Sequence, residues 1–165
     1  MNPILENKEV LELIEERRKL QPFLLPYHFN IGKADYCKGI LKDSATPDEV
    51  LWWLIDYGDN EDKCRVASLP RCNREMRDKL FRIENDNVLA AMAKNPTLDQ
   101  DEYEILLTGS DAIKLSLAQN EKTPTEILKV LSTNLQDQTI INATLSNPNV
   151  PVEIIEHLLH LFVFF

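Results

Sequence analysis

Apolar residues recur along this chain at the spacing of one helical face. Val50, Leu51 and Leu54 follow an i, i+1, i+4 pattern, and so do Ile127, Leu128 and Leu131. A turn of 3.6 residues brings such positions to one side, so each set predicts an amphipathic helix with a buried stripe. Val88, Ala91 and Met92 mark a second, shorter kind of helix over residues 87–94, where the small Ala93 permits close packing.

The pattern repeats. With Asp43, Leu69, Asn95, Asn120 and Asn147 as pivots, the successive spacings are 26, 26, 25 and 27 residues. Columns not used to set this register test it. Eleven residues past the pivots stand Leu54, Leu80, Leu106, Leu131 and Leu158, and two before them stand Leu41, Ala67, Ala93, Ala118 and Leu145. Six residues past them the chain is always acidic, at Glu49, Glu75, Asp101, Glu126 and Glu153. Acids at a helix start satisfy orphan N–H groups and complement the macrodipole, which explains this column structurally. Pro70, Pro96 and Pro148 share one further column, and Pro47, Pro124 and Pro151 another.

Thr46-Pro47-Asp48-Glu49 and Thr123-Pro124-Thr125-Glu126 read as capping boxes with proline at the first helical position. Each copy is therefore expected to be a pair of short helices. The expected fold is all-α: a solenoid of about five helix-pair repeats, 25 to 27 residues each, over residues 36–165. Residues 1–35 form a separate N-terminal cap and connector within the same structural domain. There, Val10, Leu13, Ile14 and Arg17 predict an amphipathic helix over residues 6–20. Pro22 and Pro26 then break it, and Phe23, Leu24, Leu25, Tyr27 and Phe29 make an apolar connector.

The string of Ala or Leu, then Asn-Pro, then Thr-Pro-x-Glu-Ile-Leu resembles the leucine-rich repeat variant family, short helical repeats related in shape to HEAT and armadillo solenoids. The resemblance covers residues 36–160 and is good in the last three copies. It degenerates over residues 69–80, where Cys72-Asn73-Arg74-Glu75 replaces the Thr-Pro box. The resemblance implies a fold more than an activity. A member of that family carries an iron–sulfur cluster on an N-terminal cysteine cluster. Such a cluster takes four thiolates and this chain has three scattered ones, Cys37, Cys64 and Cys72, so no cofactor is expected.

Composition narrows the function. With 44% hydrophobic and 27% charged residues the chain has the makings of one soluble domain with a core. Four glycines leave little material for phosphate-cradling loops. The start has no cationic segment leading an apolar run, so no signal peptide is read, and no run is long enough to cross a membrane. Three unpaired cysteines point to a reducing, cytoplasmic setting.

Twenty-seven acids against 18 bases give a net charge of −9, the wrong sign for gripping nucleic acid and the right one for a basic protein. The charge is uneven: residues 1–62, 63–82 and 83–165 carry −6, +5 and −8. The basic island, Lys63, Arg65, Arg71, Arg74, Arg77, Lys79 and Arg82, is expected to pair with neighbouring acidic copies. The inter-repeat turns gather Asp56, Asp59, Glu61, Asp62, Glu84, Asp86, Asp111 and Asp137, which stacking would align into an acidic edge.

Trp52 is out of pattern. Its column otherwise holds Asp78, Glu104, Lys129 and Glu156, so an exposed Trp52 beside Tyr57 and the acidic turn reads as a binding hot spot. An alternative is that Trp52 packs under the connector near Phe23 and Tyr27. Trp53, aligned with Ile105 and Val130, is expected in the core.

No catalytic or metal constellation is read. His157 and His160 are i, i+3 neighbours without a third ligand, and the run of residues 56–62 lacks the glycine and glutamate placement of a calcium loop. The sequence thus predicts a non-enzymatic, bacterial protein-binding module. The favoured role is an acidic inhibitor or immunity-type protein that occludes a basic partner such as a toxin nuclease. The candidate partner-binding residues are Trp52, Tyr57, Asp56, Asp59, Glu61, Asp62, Glu84 and Asp86. An adaptor or assembly scaffold is the alternative, with the apolar end (Phe162, Val163, Phe164, Phe165) as a dimer contact. A helical-repeat enzyme acting on nucleic acid is a second, disfavoured by charge and by the missing catalytic groups.

Overall fold

A computed structural model describes residues 47–133 and 137–163, with residues 159 and 161–163 described by their backbone only. Among the described residues there are nine helices and no strand: α1 (Asp48–Tyr57), α2 (Asn60–Ala67), α3 (Arg74–Phe81), α4 (Asp86–Met92), α5 (Gln100–Leu107), α6 (Asp111–Gln119), α7 (Thr125–Ser132), α8 (Gln138–Leu145) and α9 (Val152–Val163). The all-helical class is as expected. No helix among the described residues is long and apolar enough to cross a membrane. The expected N-terminal cap and connector, the pivot Asp43, Thr46, Cys37 and the side chains of Phe162, Val163, Phe164 and Phe165 lie outside the described residues.

The chain divides into two compact units, Met1–Gly58 and Asp59–Phe165, a boundary that the repeat spacing did not single out. In the first unit, α1 buries Val50, Leu51, Leu54 and Ile55, and it ends where the Gly58 N–H donates to the Leu54 carbonyl at 2.9 Å.

In the second unit the helices touch in sequence order. Adjacent helices meet, as α5 with α6 and α7 with α8; α2 also packs on α4, α4 on α6 and α6 on α8, while α5 packs on α7 and α7 on α9. The apolar columns supply these contacts. Leu80, Leu106, Leu131 and Leu158 are at most 2% exposed, and Leu54 in the first unit is 3% exposed. Burying one such leucine contributes roughly 1.5–3 kcal/mol, which makes a conserved spacing of leucines a strong organiser of short helices. Ala93, Leu106, Ile113, Leu117, Leu128 and Ile140 lie in one core cluster, and Ile141, Ile154 and Leu158 in another.

The pivots turn out to be clamps. Asn95 donates both amide protons backward, to the carbonyls of Ala67 at 2.8 Å and Leu69 at 2.7 Å. Asn120 does the same to Ala93 and Asn95, both at 2.9 Å, and Asn147 to Ala118 at 2.7 Å and Asn120 at 2.9 Å. Each Oδ1 accepts the N–H two residues on, from Thr97, Lys122 and Asn149, all at 2.9 Å. The fully buried Ala67, Ala93 and Ala118 let the backbones come close enough for this.

The helix starts differ from expectation in one respect. Pro124 is the N-cap of α7 and no side chain caps it; Thr123 is buried and donates its hydroxyl to the Leu117 carbonyl at 2.6 Å, so the expected capping box does not form. The threonine is used to satisfy the end of α6 instead of the start of α7. Glu49, Glu75, Asp101, Glu126 and Glu153 accordingly stand at the second, not the third, helical position of α1, α3, α5, α7 and α9. There they are exposed and still favourably placed against the helix dipole.

Candidate interaction surface

The acidic turns of the second unit are built from helix starts. Asp59, Asn85, Ser110 and Asp137 are the N-caps of α2, α4, α6 and α8. Three of the four accept backbone N–H groups: Asp59 from Asp62 at 3.0 Å, Asn85 from Asn87 at 3.0 Å and Val88 at 3.3 Å, and Asp137 from Thr139 at 2.8 Å and Ile140 at 3.2 Å. A carboxylate or amide in a turn before a helix is thus accounted for first by capping.

What remains for a partner is narrower than the sequence suggests. Asp62 is fully buried: its carboxylate accepts the Asp59 N–H at 3.2 Å and pairs with Arg65 at 3.1 Å, which takes it off the surface where it was expected. Asp59 is exposed but half of that capping box. Glu61 is exposed, with its carboxylate against Arg65. Glu84 and Asp86 are both exposed; Glu84 has φ 51°, in the left-handed region, and Asp86 opens α4. Asp111 opens α6 and lies 3.6 Å from Lys114. Glu61 and Asp111 are thus exposed but set against Arg65 and Lys114, and Glu84 and Asp86 are the exposed carboxylates of the turn that opens α4.

In the first unit, Tyr57 is 70% exposed and its ring lies 5.6 Å from that of Trp53, tilted by 41°. Asp56 is exposed beside it. Trp52, read either as an exposed hot spot or as packed under the connector, is half-buried; Trp53, expected in the core, is half-buried too. The alignment behind the second expectation points outward, since Ile105 and Val130 are 53% and 51% exposed. The buried stripe is made by the columns seven, eight and eleven residues past the pivot, and positions nine and ten turn away from it.

Members of the basic island are engaged internally, Arg74 and Arg77 with the following copy as expected and Arg65 within its own helix. Arg65 pairs with Glu61 and Asp62. Arg74 reaches Asp78 at 2.9 Å, Asp99 at 3.1 Å and Asp101 at 2.6 Å. Arg77 is buried, with Nε 2.8 Å from Glu102 Oε1, Nη1 donating to the Cys72 carbonyl at 2.8 Å and Thr97 Oγ1 at 3.2 Å, and Nη2 to Asp99 at 3.2 Å. Hydrogen bonds that Arg74 donates to Asp101, Asp99 and Asp78 raise its pKa further, and the same contact with Arg74 holds Asp101 below the usual carboxylate range. Burial works to lower Arg77, but hydrogen bonding to Glu102 and its charge outweigh that and raise it.

The Arg77–Glu102 pair was not singled out from the sequence, although the columns contain the signal. Eight residues past the pivots Arg77 stands among Leu51, Tyr103, Leu128 and Ile155, and seven past them Glu102 stands among Val50, Met76, Ile127 and Ile154. A charge in a core column calls for a partner.

Nothing else in the described residues assembles reactive groups. Burial pushes the Cys72 thiol up to about 12, so it holds its proton and is a poor nucleophile. No group of three His, Cys, Asp or Glu side chains among the described residues is placed to hold a metal ion. A shallow depression of about 450 Å³ lies between α6 and α8, bordered by Leu115, Gln119, Thr139, Asn142, Ala143 and Ser146. No family model, curated protein or solved structure matches the chain.

Proposed function

We propose that this protein is a non-enzymatic, helical-repeat binding module of solenoid form, akin to the leucine-rich repeat variant and HEAT-like repeats, that captures a basic protein in the cytoplasm of a bacterium. The observation that carries this reading is the charge arrangement. Arg65, Arg74 and Arg77 are taken up by internal acids, while Glu84 and Asp86 stay exposed at the start of α4 on a chain of net charge −9. Such a surface steers a cationic partner and mimics the phosphates that a nuclease recognises, which suits an inhibitor or immunity-type role against a toxin nuclease. On the first unit, taken by itself, the exposed Tyr57 with Trp53 and Asp56 nearby is an aromatic group of the kind that protein-binding surfaces favour.

The test is purification from the native host in low salt, with co-eluting proteins identified by mass spectrometry and re-eluted in high salt. A basic protein released by salt, and no longer retained by the Asp56→Lys/Glu84→Lys/Asp86→Lys variant, is the expected result. The absence of any basic partner would overturn it. Asp59 and Asp62 are left intact in the variant because they hold the start of α2. The adaptor reading draws on the exposed Ile105 and Val130 of α5 and α7, and it predicts a partner indifferent both to salt and to the charge reversals.

A further inference from the structure

A chain of similar copies has a stacking problem. Copies that bury the same apolar columns present interchangeable surfaces, so one can dock out of order or onto a copy in another molecule, and domain swapping and misassembly are the usual failures of repeat chains. In four of the five copies the column seven past the pivot is Val50, Met76, Ile127 or Ile154, and in four the column eight past it is Leu51, Tyr103, Leu128 or Ile155. The exceptions are Glu102 and Arg77, at 0% and 3% exposure, and they meet each other.

We infer that Arg77 and Glu102 form a pairing code, through which the copy carrying α3 accepts the copy carrying α5 and no other. Docked against any apolar column, Arg77 or Glu102 would be a buried, unpaired charge, a heavy penalty; docked against each other, they are satisfied. The surroundings complete that satisfaction at atoms only these two copies supply. Arg77 Nη1 donates to the Cys72 carbonyl and Thr97 Oγ1, Nη2 to Asp99, and Glu102 Oε2 accepts the Asp99 N–H at 2.8 Å. The pair therefore acts on specificity. Apolar residues at the same two positions replace the ion pair itself at little net cost, as buried pairs generally add little net stability, although the bonds to the Cys72 carbonyl and from the Asp99 N–H are then lost.

The experiment uses the full chain with Arg77→Leu/Glu102→Ile, the residues that Leu128 and Ile127 supply two copies and one copy later in the same columns. Both positions are buried, so the surface is unchanged. Wild type and variant are unfolded in urea, refolded at high protein concentration, and compared by size-exclusion chromatography with light scattering and by thermal melting. The double variant is expected to melt within a few degrees of the wild-type temperature while a several-fold larger share refolds into dimers and higher species. An unchanged species distribution would overturn the inference, and so would a melting point well below wild type or failure to fold, which would make the pair a stabilising element. Arg77→Leu alone deprives the buried Glu102 of its closer partner and leaves it the longer contact with Arg74 Nε at 3.8 Å, so it is expected to lower the melting temperature by several degrees more than the double variant; equal tolerance of both would show that the two charges are not coupled.

Discussion

A primary amide has two donors and a carbonyl acceptor, and Asn95, Asn120 and Asn147 use all of them, two protons reaching carbonyls 25 to 29 residues back and the oxygen holding the turn that follows. Aspartate has no such donors and leucine has none at all, which is why the copy with Leu69 at the pivot sends no clamp backward. Asn120→Ala is expected to cost about 2–3 kcal/mol in urea unfolding, since the buried carbonyls of Ala93 and Asn95 each lose a donor. Asn149→Ala, which removes one exposed bond to the Glu121 carbonyl, should cost less than about 0.5 kcal/mol, and equal losses at both sites would refute the distinction. Glu84 is the other residue whose backbone speaks. At φ 51° its Cβ is crowded, and the left-handed region costs a non-glycine residue roughly 1–2 kcal/mol. Glu84→Gly should therefore leave stability unchanged or raise it by up to about 1 kcal/mol, whereas Glu84→Val should lower it; both are read from denaturant midpoints.

At the scale of elements, capping and charge join neighbouring helices. The Arg74 side chain leaves the first residue of α3 and grasps Asp101 in the first turn of α5, with Asp99 just before it. Because this contact depresses the Asp101 pKa, the folded state binds its proton less readily than the unfolded one does. Its contribution is thus present above the ordinary carboxylate range and is lost as pH falls through the lower folded-state value. The melting temperature is expected to drop below about pH 4, and Asp101→Asn should flatten that acid limb while lowering the plateau near neutrality. Calorimetry across this range would show it; parallel curves for wild type and variant would count against it. The pair is solvent-exposed, so added salt should shrink the difference between the two proteins.

At the scale of the whole molecule, a net charge of −9 is a statement about encounters more than about folding. If exposed carboxylates guide a basic partner, association should slow by roughly tenfold or more as salt rises from low to well above physiological levels, with dissociation changing much less. Stopped-flow binding of the partner would separate the two rates. The charge-reversed variant should have both a slow association and a weak salt dependence, and a variant as fast as wild type would remove the acids from the encounter.

The helices and their register were legible in the chain because they depend on local chemistry: apolar spacing at 3.6 residues per turn, prolines and polar caps at helix starts, and small residues at helix ends. The column of leucines ending at Leu158 and the alanines at Ala67, Ala93 and Ala118 occupy the environments that spacing predicts, while the acids stand one position earlier in their helices than expected. What only the tertiary structure decided is how each polar side chain is used. Asp62 reads like its exposed neighbours yet is buried, Thr123 reads like a cap yet closes the previous helix, and Ile105 and Val130 read like core yet face water. Arg74 and Arg77 read as cations that would pair with neighbouring copies, yet which acids they take, Asp99, Asp101 and Glu102 at 22 to 27 residues away, came from the structure. The physical reason is that burial and pairing are properties of neighbours in space, and for helices this short those neighbours belong to the next copy along the chain.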